Sequence, residues 1–296
     1  MPKAIREKDF AVERTLIGLR AQVDCWKADK KTIALVPTMG ALHEGHLSLV
    51  EKAISLADCV VVSIFVNPKQ FAVHEDLDTY PSEEKADLGK LEATGCHLAY
   101  LPSGAEMYPA GFDTAISVGA VASGLCADSR PHFFGGVATV VCKLLNQVQP
   151  TLAVFGEKDF QQLHVIRRMV ADLDMPMDII GGEIVREPDG LAMSSRNAYL
   201  SPDERQIAAQ LNKTLMACAL RLEAGEAKDK VIGTGIENLV EAGFDRVDYL
   251  EMRDATDLSE LKDGIATNKE ARLLAAAVIG KTRLIDNWPI NRRNGP

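Results

Sequence analysis

The feature that most constrains this chain is a rhythm in its first half. Short β-branched runs alternate with longer amphipathic stretches. TIALV (32–36), VVVSIFV (60–66), HLAYL (97–101) and TLAVF (151–155) read as buried strands. Between and after them come HLSLVEKAISLAD, apolar at helical spacing, and SEEKADLGKLEATG (82–95), VATVVCKLLNQVQ (137–149) and DFQQLHVIRRMVADLD, which read as helices. SEEKADLGKLEATG carries acidic residues in its first turn and a C-terminal glycine, and Pro150 ends the helix before TLAVF. MDIIGGEIV resumes strand character. Strands that alternate with helices predict a parallel sheet with right-handed crossovers. Residues 102–134 are rich in Gly, Pro and Ser and read as loops with short elements.

Near residue 190 the texture changes. SPDERQIAAQLNKTLMACALRLEAG reads as one helix, with Ser201 as N-cap, Pro202 at its first position, Glu204 closing a capping box and Gly225 at its end. KDKVIGTGIENLVEAG is a second helical stretch, weakened by Gly233 and Gly235. VDYLEMRD and ARLLAAAVIGKTRLID read as strands of a small α+β unit, and WPINRRNGP as a frayed tail. The domain boundary falls near 184–190, around REPDG.

Composition narrows the function. Hydrophobic residues make up 47% and charged residues 25% of the 296, which disfavours disorder along most of the chain. A net charge of −9 disfavours a broad nucleic-acid footprint, so an anionic ligand has to be held by local groups. None of the six cysteines forms a CxxC pair, and reduced, mostly buried thiols are expected. The N-terminus MPKAIREKDF lacks the apolar core of a signal peptide. The apolar runs fall short of the ~20 residues of a membrane helix. A cytoplasmic protein with no membrane or nucleic-acid partner is the expectation.

Four segments carry chemistry. PTMGALHEGH (37–46) follows the first strand and opens a helix. Its glycines let a flat or anionic ligand approach the backbone. The helix start offers N–H groups to a phosphate, and His43 and His46 share one face. A metal would need a third ligand, and the zinc pattern is HExxH. A surface turn is the better explanation of an isolated HxxH, but open α/β sheets bind ligands where this pair sits. FVNPKQF (65–71) places Asn67 and Gln70 at the same sheet edge, although Asn-Pro alone signals a turn. GEKDFQQL (156–163) offers Gly156, the cation Lys158 and Gln162 one helical turn on, unless it is a plain helix start with a solvated charge pair. MSSRN (193–197) has two hydroxyls and an Arg suited to a triphosphate, or is simply a polar loop. Three of the four follow predicted strands, and the joint pattern is far more specific than any one.

PTMGALHEGH, SIFVNPKQF, GEKDFQQL and DGLAMSSRN together resemble the pantoate–β-alanine ligase family, from about residue 30 to the LIDN at 284–287. A lone HxGH would indicate only the wider superfamily of adenylyl-transferring proteins, in which MSSRN resembles the mobile KMSKS-type loop. The resemblance implies an α/β chain, with a Rossmann-like nucleotide- and pantoate-binding domain at 1–185, a smaller C-terminal α+β lid domain at 186–296, and a homodimer. It implies a two-step reaction: pantoate attacks the α-phosphorus of Mg-ATP, then β-alanine attacks the pantoyl adenylate to give pantothenate and AMP.

Carried over by residue, it places ATP on Met39, Gly40, Ala41, Leu42, His43, Glu44, Gly45 and His46. Further ATP contacts are Gly156, Glu157, Lys158 and Asp159, then Val185, and Met193, Ser194, Ser195 and Arg196. His46 is the implied proton donor, with His43, Lys158 and Arg196 as counter-charges to the phosphates. Gln70 and Gln162 resemble the glutamines that hold pantoate, Gln70 also lying where β-alanine enters. Asp87 matches a family carboxylate near Mg2+, while Ala86 stands where some members have a second. The chain departs from the family in three places. Ser82 replaces an Arg, RPHFFGGV replaces RPGHFRGV with His132 one place early and Phe133 in its position, and Glu183 replaces a proline. Arg130 matches.

Overall fold

The computed structural model describes residues 10–72, 77, 79–81, 83–261 and 270–291. Ser82 lies outside them. The β-branched runs do form a parallel sheet. Its strands are β1 (Ala11–Glu13), β2 (Ile33–Thr38), β3 (Cys59–Ile64), β4 (Leu98–Tyr100), β5 (Leu152–Gly156) and β6 (Asp178–Gly182). They lie side by side in the order β1-β4-β3-β2-β5-β6, and each neighbouring pair is parallel. β2 and β3 are buried along almost their whole length, as expected of strands covered on both faces. Strand order reverses between β2 and β5, so the crevice at their carboxyl ends is the switch point where such sheets bind ligands.

The helices of this half are α1 (Leu16–Ala28), α2 (Glu44–Leu56), α3 (Glu84–Thr94), the single turns α4 (Gly104–Met107) and α5 (Cys126–Ser129), α6 (Phe133–Val148) and α7 (Phe160–Asp172). α3 ends on Gly95 at φ 79°, the left-handed cap expected of its C-terminal glycine. β1 and α1 have no counterpart among the predicted elements. β1 has only three residues, too few to show a period, and Thr15 caps α1 by accepting from the Gly18 N–H.

The remaining elements are α8 (Pro202–Ala208), α9 (Gln210–Glu223), α10 (Lys228–Glu241) and an antiparallel sheet of β7 (Arg246–Asp254), β8 (Ala271–Ile279) and β9 (Thr282–Ile290), in that order. Ser201 and Glu204 form the expected capping box on α8. Two expectations change here. The single helix from Ser201 breaks at Ala209 into α8 and α9. The tail is ordered through Ile290, because β9 pairs with β8 along its full length. Gly233 and Gly235 sit inside an intact α10. A Cβ on Gly235 would lie 2.6 Å from a Leu250 methyl and 2.8 Å from the Cys218 sulfur, so this glycine lets helix and sheet approach.

The chain clusters into two compact units. One comprises residues 1–118, 132–157 and 165–183; the other comprises 119–131, 158–164 and 184–296. The first has a core of Val36, Val50, Val60, Val62 and Leu91; the second is built on Leu211, Leu215, Leu239, Leu250 and Leu273. All six cysteines are free thiols, four of them buried.

Candidate active site

In the first unit the decisive structure is the loop between β2 and α2. Gly40 and Ala41 both adopt left-handed backbone, at φ 89° and 50°. Glycine does so freely, whereas alanine loses roughly 1 kcal/mol there and needs support. Asp87 on α3 supplies it. Its two carboxylate oxygens accept the N–H groups of Ala41 and Leu42 at 2.9 and 2.8 Å, and it is 1% exposed. Lys90, one turn on, donates to the Leu42 carbonyl at 2.6 Å. The expected metal-side carboxylate thus holds the ligand-side loop.

His43 is the N-cap of α2. Its Nδ1 accepts from the Gly45 N–H at 3.2 Å, and His46 Nδ1 accepts from the His43 N–H at 3.4 Å. An imidazole that accepts at Nδ1 carries its proton on Nε2 when neutral. The rings lie 4.1 Å apart, centroid to centroid. The capping geometry therefore makes both histidines Nε2 donors beside the start of a helix.

Gln70 sits in a short 3-10 turn (Pro68–Gln70) after β3. Its amide nitrogen is 2.7 Å from the Met39 sulfur and its oxygen accepts from Asn67 at 3.1 Å. Asn67, 1% exposed, is the hub of this turn. It also donates to the Gly136 carbonyl and accepts from the Tyr108 hydroxyl at 2.7 Å. Gly136 touches the turn so closely that a Cβ would lie 2.2 Å from the Lys69 carbonyl oxygen. The second glycine of RPHFFGGV thus has a packing reason. His132 is exposed at the start of α6, while Phe134 is buried. Gly156 ends β5, the sheet neighbour of β2, and Glu157 follows it.

In the second unit, Lys158 and Asp159 belong to a 3-10 turn (Glu157–Asp159) that leads into α7. The adjacent glutamines differ. Gln161 is buried, receives the Cys126 N–H on its oxygen and donates to the carbonyls of Val121, Ser123 and Gly124. Gln162 is only partly buried. Residues 185–193 form a turned-back pair: Arg186 bridges to Ala192, and the Met193 N–H donates to the Val185 carbonyl at 3.0 Å. Gly190, at φ 93°, makes the turn possible. Arg205 clamps it through Glu187 and Asp189, and that guanidinium holds the Asp189 carboxyl below the usual carboxylate range. Ser194 then caps a 3-10 turn (Ser195–Tyr199) by accepting the Arg196 N–H at 3.3 Å.

Sequence reasoning alone passes over Asn67 as a hub, Gly136, Lys90 and Gln161. The Asn-Pro turn and the GG pair were visible signals for the first two; nothing local marks the others.

A family model described as pantoate-beta-alanine ligase matches residues 11–289. The chain belongs to the pantoate–β-alanine ligase family. Pantothenate synthetase of Rhodospirillum rubrum is 53% identical over 276 residues, covering 93% of this chain and 97% of the relative. The Caulobacter vibrioides pantothenate synthetase is 51% identical over 279 residues, covering 94% and 98%. Among solved structures, pantothenate synthetase from Thermus thermophilus superposes with a TM-score of 0.89 at 41% identity, covering 95% of this chain and 99% of that one. The Francisella tularensis pantoate–β-alanine ligase, complexed with β-γ ATP and β-alanine, gives 0.79 at 32%, covering 95% and 97%. The chain is thus an ATP-dependent ligase of pantothenate biosynthesis, condensing pantoate with β-alanine through a pantoyl adenylate and releasing AMP and pyrophosphate. Among the described residues no helix is long and apolar enough to cross a membrane.

Proposed function

We propose that the pantoate–β-alanine ligase reaction runs on the residues named from the motifs, with His43 and His46 as neutral Nε2–H donors to the phosphates. The observation that carries this is the pair of Nδ1 atoms occupied by backbone N–H groups at 3.2 and 3.4 Å. A ring fixed in that tautomer presents a donor without rearranging, the condition under which electrostatic stabilisation is most effective. His46 then donates to the phosphoryl oxygens as negative charge moves to pyrophosphate. Lys158 and Arg196 supply positive charge, and the start of α2 adds the positive end of its helix dipole. ATP contacts would run along Met39–His46, Gly156–Asp159, Val185 and Met193–Arg196. Gln70 and Gln162 would hold pantoate by neutral hydrogen bonds, which leave its carboxylate nucleophilic. Gln70 would also border the entering amine of β-alanine.

Magnesium enters this scheme with ATP, as the ion that neutralises its phosphates. Asp87 does not fit as its ligand in this geometry, since both oxygens accept backbone N–H groups at a site 1% exposed. The homodimer, which rests on the family resemblance, and the cytoplasmic location, expected from the sequence, belong to the same proposal; sedimentation of the purified chain tests the first.

Purified protein given ATP, Mg2+, pantoate and β-alanine should release AMP and pyrophosphate in equal amounts, and only with pantoate present. AMP formed equally without pantoate refutes the reading. Pyrophosphate without AMP would instead identify an adenylyltransferase that leaves the nucleotide on its product.

A further inference from the structure

The LIDN stretch at 284–287 has no part in the reaction as described, yet it forms a buried polar knot in the second unit. Asn287 is 1% exposed. Its Nδ2 donates to the Lys158 carbonyl at 3.0 Å, and its Oδ1 accepts from Arg272 Nε at 2.6 Å. Its own N–H donates to Asp286 at 2.7 Å. Asp286 in turn receives both arms of Arg186, at 2.7 and 3.0 Å. The Arg272 guanidinium also lies 4.2 Å over the ring of Phe160, two residues beyond Lys158.

We propose that Asn287 is the positioning residue for Lys158. A primary amide can donate to a carbonyl through its nitrogen and accept from a guanidinium through its oxygen at once. Arg272 can only donate, so it fixes which way round the amide lies and turns the N–H2 toward Lys158. Arg272 and Asn287 reach this arrangement from adjacent strands: Arg272 pairs with Pro289 on β9, which puts Asn287 diagonally opposite on the same face. The backbone of the turn that carries Lys158 is therefore tied to β9, and through Arg272 to the central strand β8. Lysine is a flexible point charge, and its reach is set by where its backbone is held. Arg272 stacked on Phe160 grips the following residues. This inference rests on Lys158 being the cation that meets the phosphates.

The test is a double-mutant cycle on pantoate-dependent pyrophosphate release, with thermal unfolding measured in parallel. Lys158→Ala is expected to slow release by roughly 100-fold. Asn287→Asp keeps size and acceptor and loses the donor; it should lower kcat by about tenfold or more, with the pantoate KM within about twofold. The combined variant should be no slower than Lys158→Ala alone, because the amide acts through that lysine. Arg272→Lys, which keeps the cation but lacks the Nε–H, should move kcat the same way and decides the matter if Asn287→Asp does not fold. Multiplicative slowing in the double variant, or a wild-type kcat in Asn287→Asp or Arg272→Lys, overturns the proposal. A wild-type rate for Lys158→Ala removes the role of the lysine itself, and the proposal with it.

Discussion

Two residues of the nucleotide loop show how far a local pattern reaches. His43 and His46 are legible in the sequence as a pair three apart, at a strand exit, opening a helix; their proposed roles come from the family resemblance. The structure adds which nitrogen carries the proton. Replacing His46 with Ala should slow pantoate-dependent pyrophosphate release by ~100-fold or more, the scale of one well-placed donor. A variant within threefold of wild type would remove His46 from the chemistry. Asp87 is the opposite case. The family resemblance puts it near Mg2+, but its oxygens serve Ala41 and Leu42, 46 and 45 positions away. No periodicity reports a contact at that separation. Asp87→Asn can no longer accept both N–H groups and leaves one buried donor facing an amide. It should cost about 2 kcal/mol in urea unfolding, since breaking a buried bond to a charged group runs to roughly 1.5–3 kcal/mol, and leave the Mg2+ midpoint of the reaction nearly fixed. Unchanged stability with a Mg2+ midpoint shifted tenfold would restore the metal reading.

At the scale of elements, the strands and helices that position the site are those with enough residues to show a period. β2, β3 and β5 read directly from TIALV, VVVSIFV and TLAVF, and so does the parallel sheet, because buried β-branched runs alternating with helices have few other solutions. The three-residue β1, the break between α8 and α9 and the extension of β9 are set by tertiary pairing and packing, which a local pattern does not record. The turn bearing Gln70 lies between these cases. Asn67-Pro68 announces it, but its placement depends on Gly136 of α6, nearly seventy positions later. Gly136→Ala puts a methyl against the Lys69 carbonyl, where backbone and not a flexible side chain has to give way. The expected cost is roughly 1–3 kcal/mol of stability, as for other overpacked sites. Because the turn carries Gln70, the KM for pantoate should rise as well. Loss of stability with an unchanged pantoate KM would separate Gln70 from pantoate. The neighbouring Gly135→Ala is a fair control, since its Cβ would meet its nearest neighbour at an ordinary 3.5 Å.

For the whole molecule the governing quantity is charge. The chain carries a net −9, yet ATP and pantoate are both anions. Beyond a Debye length, about 10 Å at 0.1 M salt, such a substrate meets a weakly repulsive field and not a basic funnel. On the proposed assignment, attraction is left to groups that act at short range: the dipole of α2, the two imidazoles, Lys158 and Arg196. Close contacts are screened far less than distant ones. Added salt should therefore relieve the long-range repulsion and largely spare the contacts. With Mg-ATP saturating and a weakly binding salt, kcat/KM for pantoate should stay flat or rise modestly between about 20 and 200 mM, a range over which the Debye length contracts roughly threefold. A steep fall, tenfold or more, would mean that a long-range cationic field draws the substrate in. The local assignment of binding to the motif residues would then be wrong, because none of those groups generates such a field against nine excess negative charges.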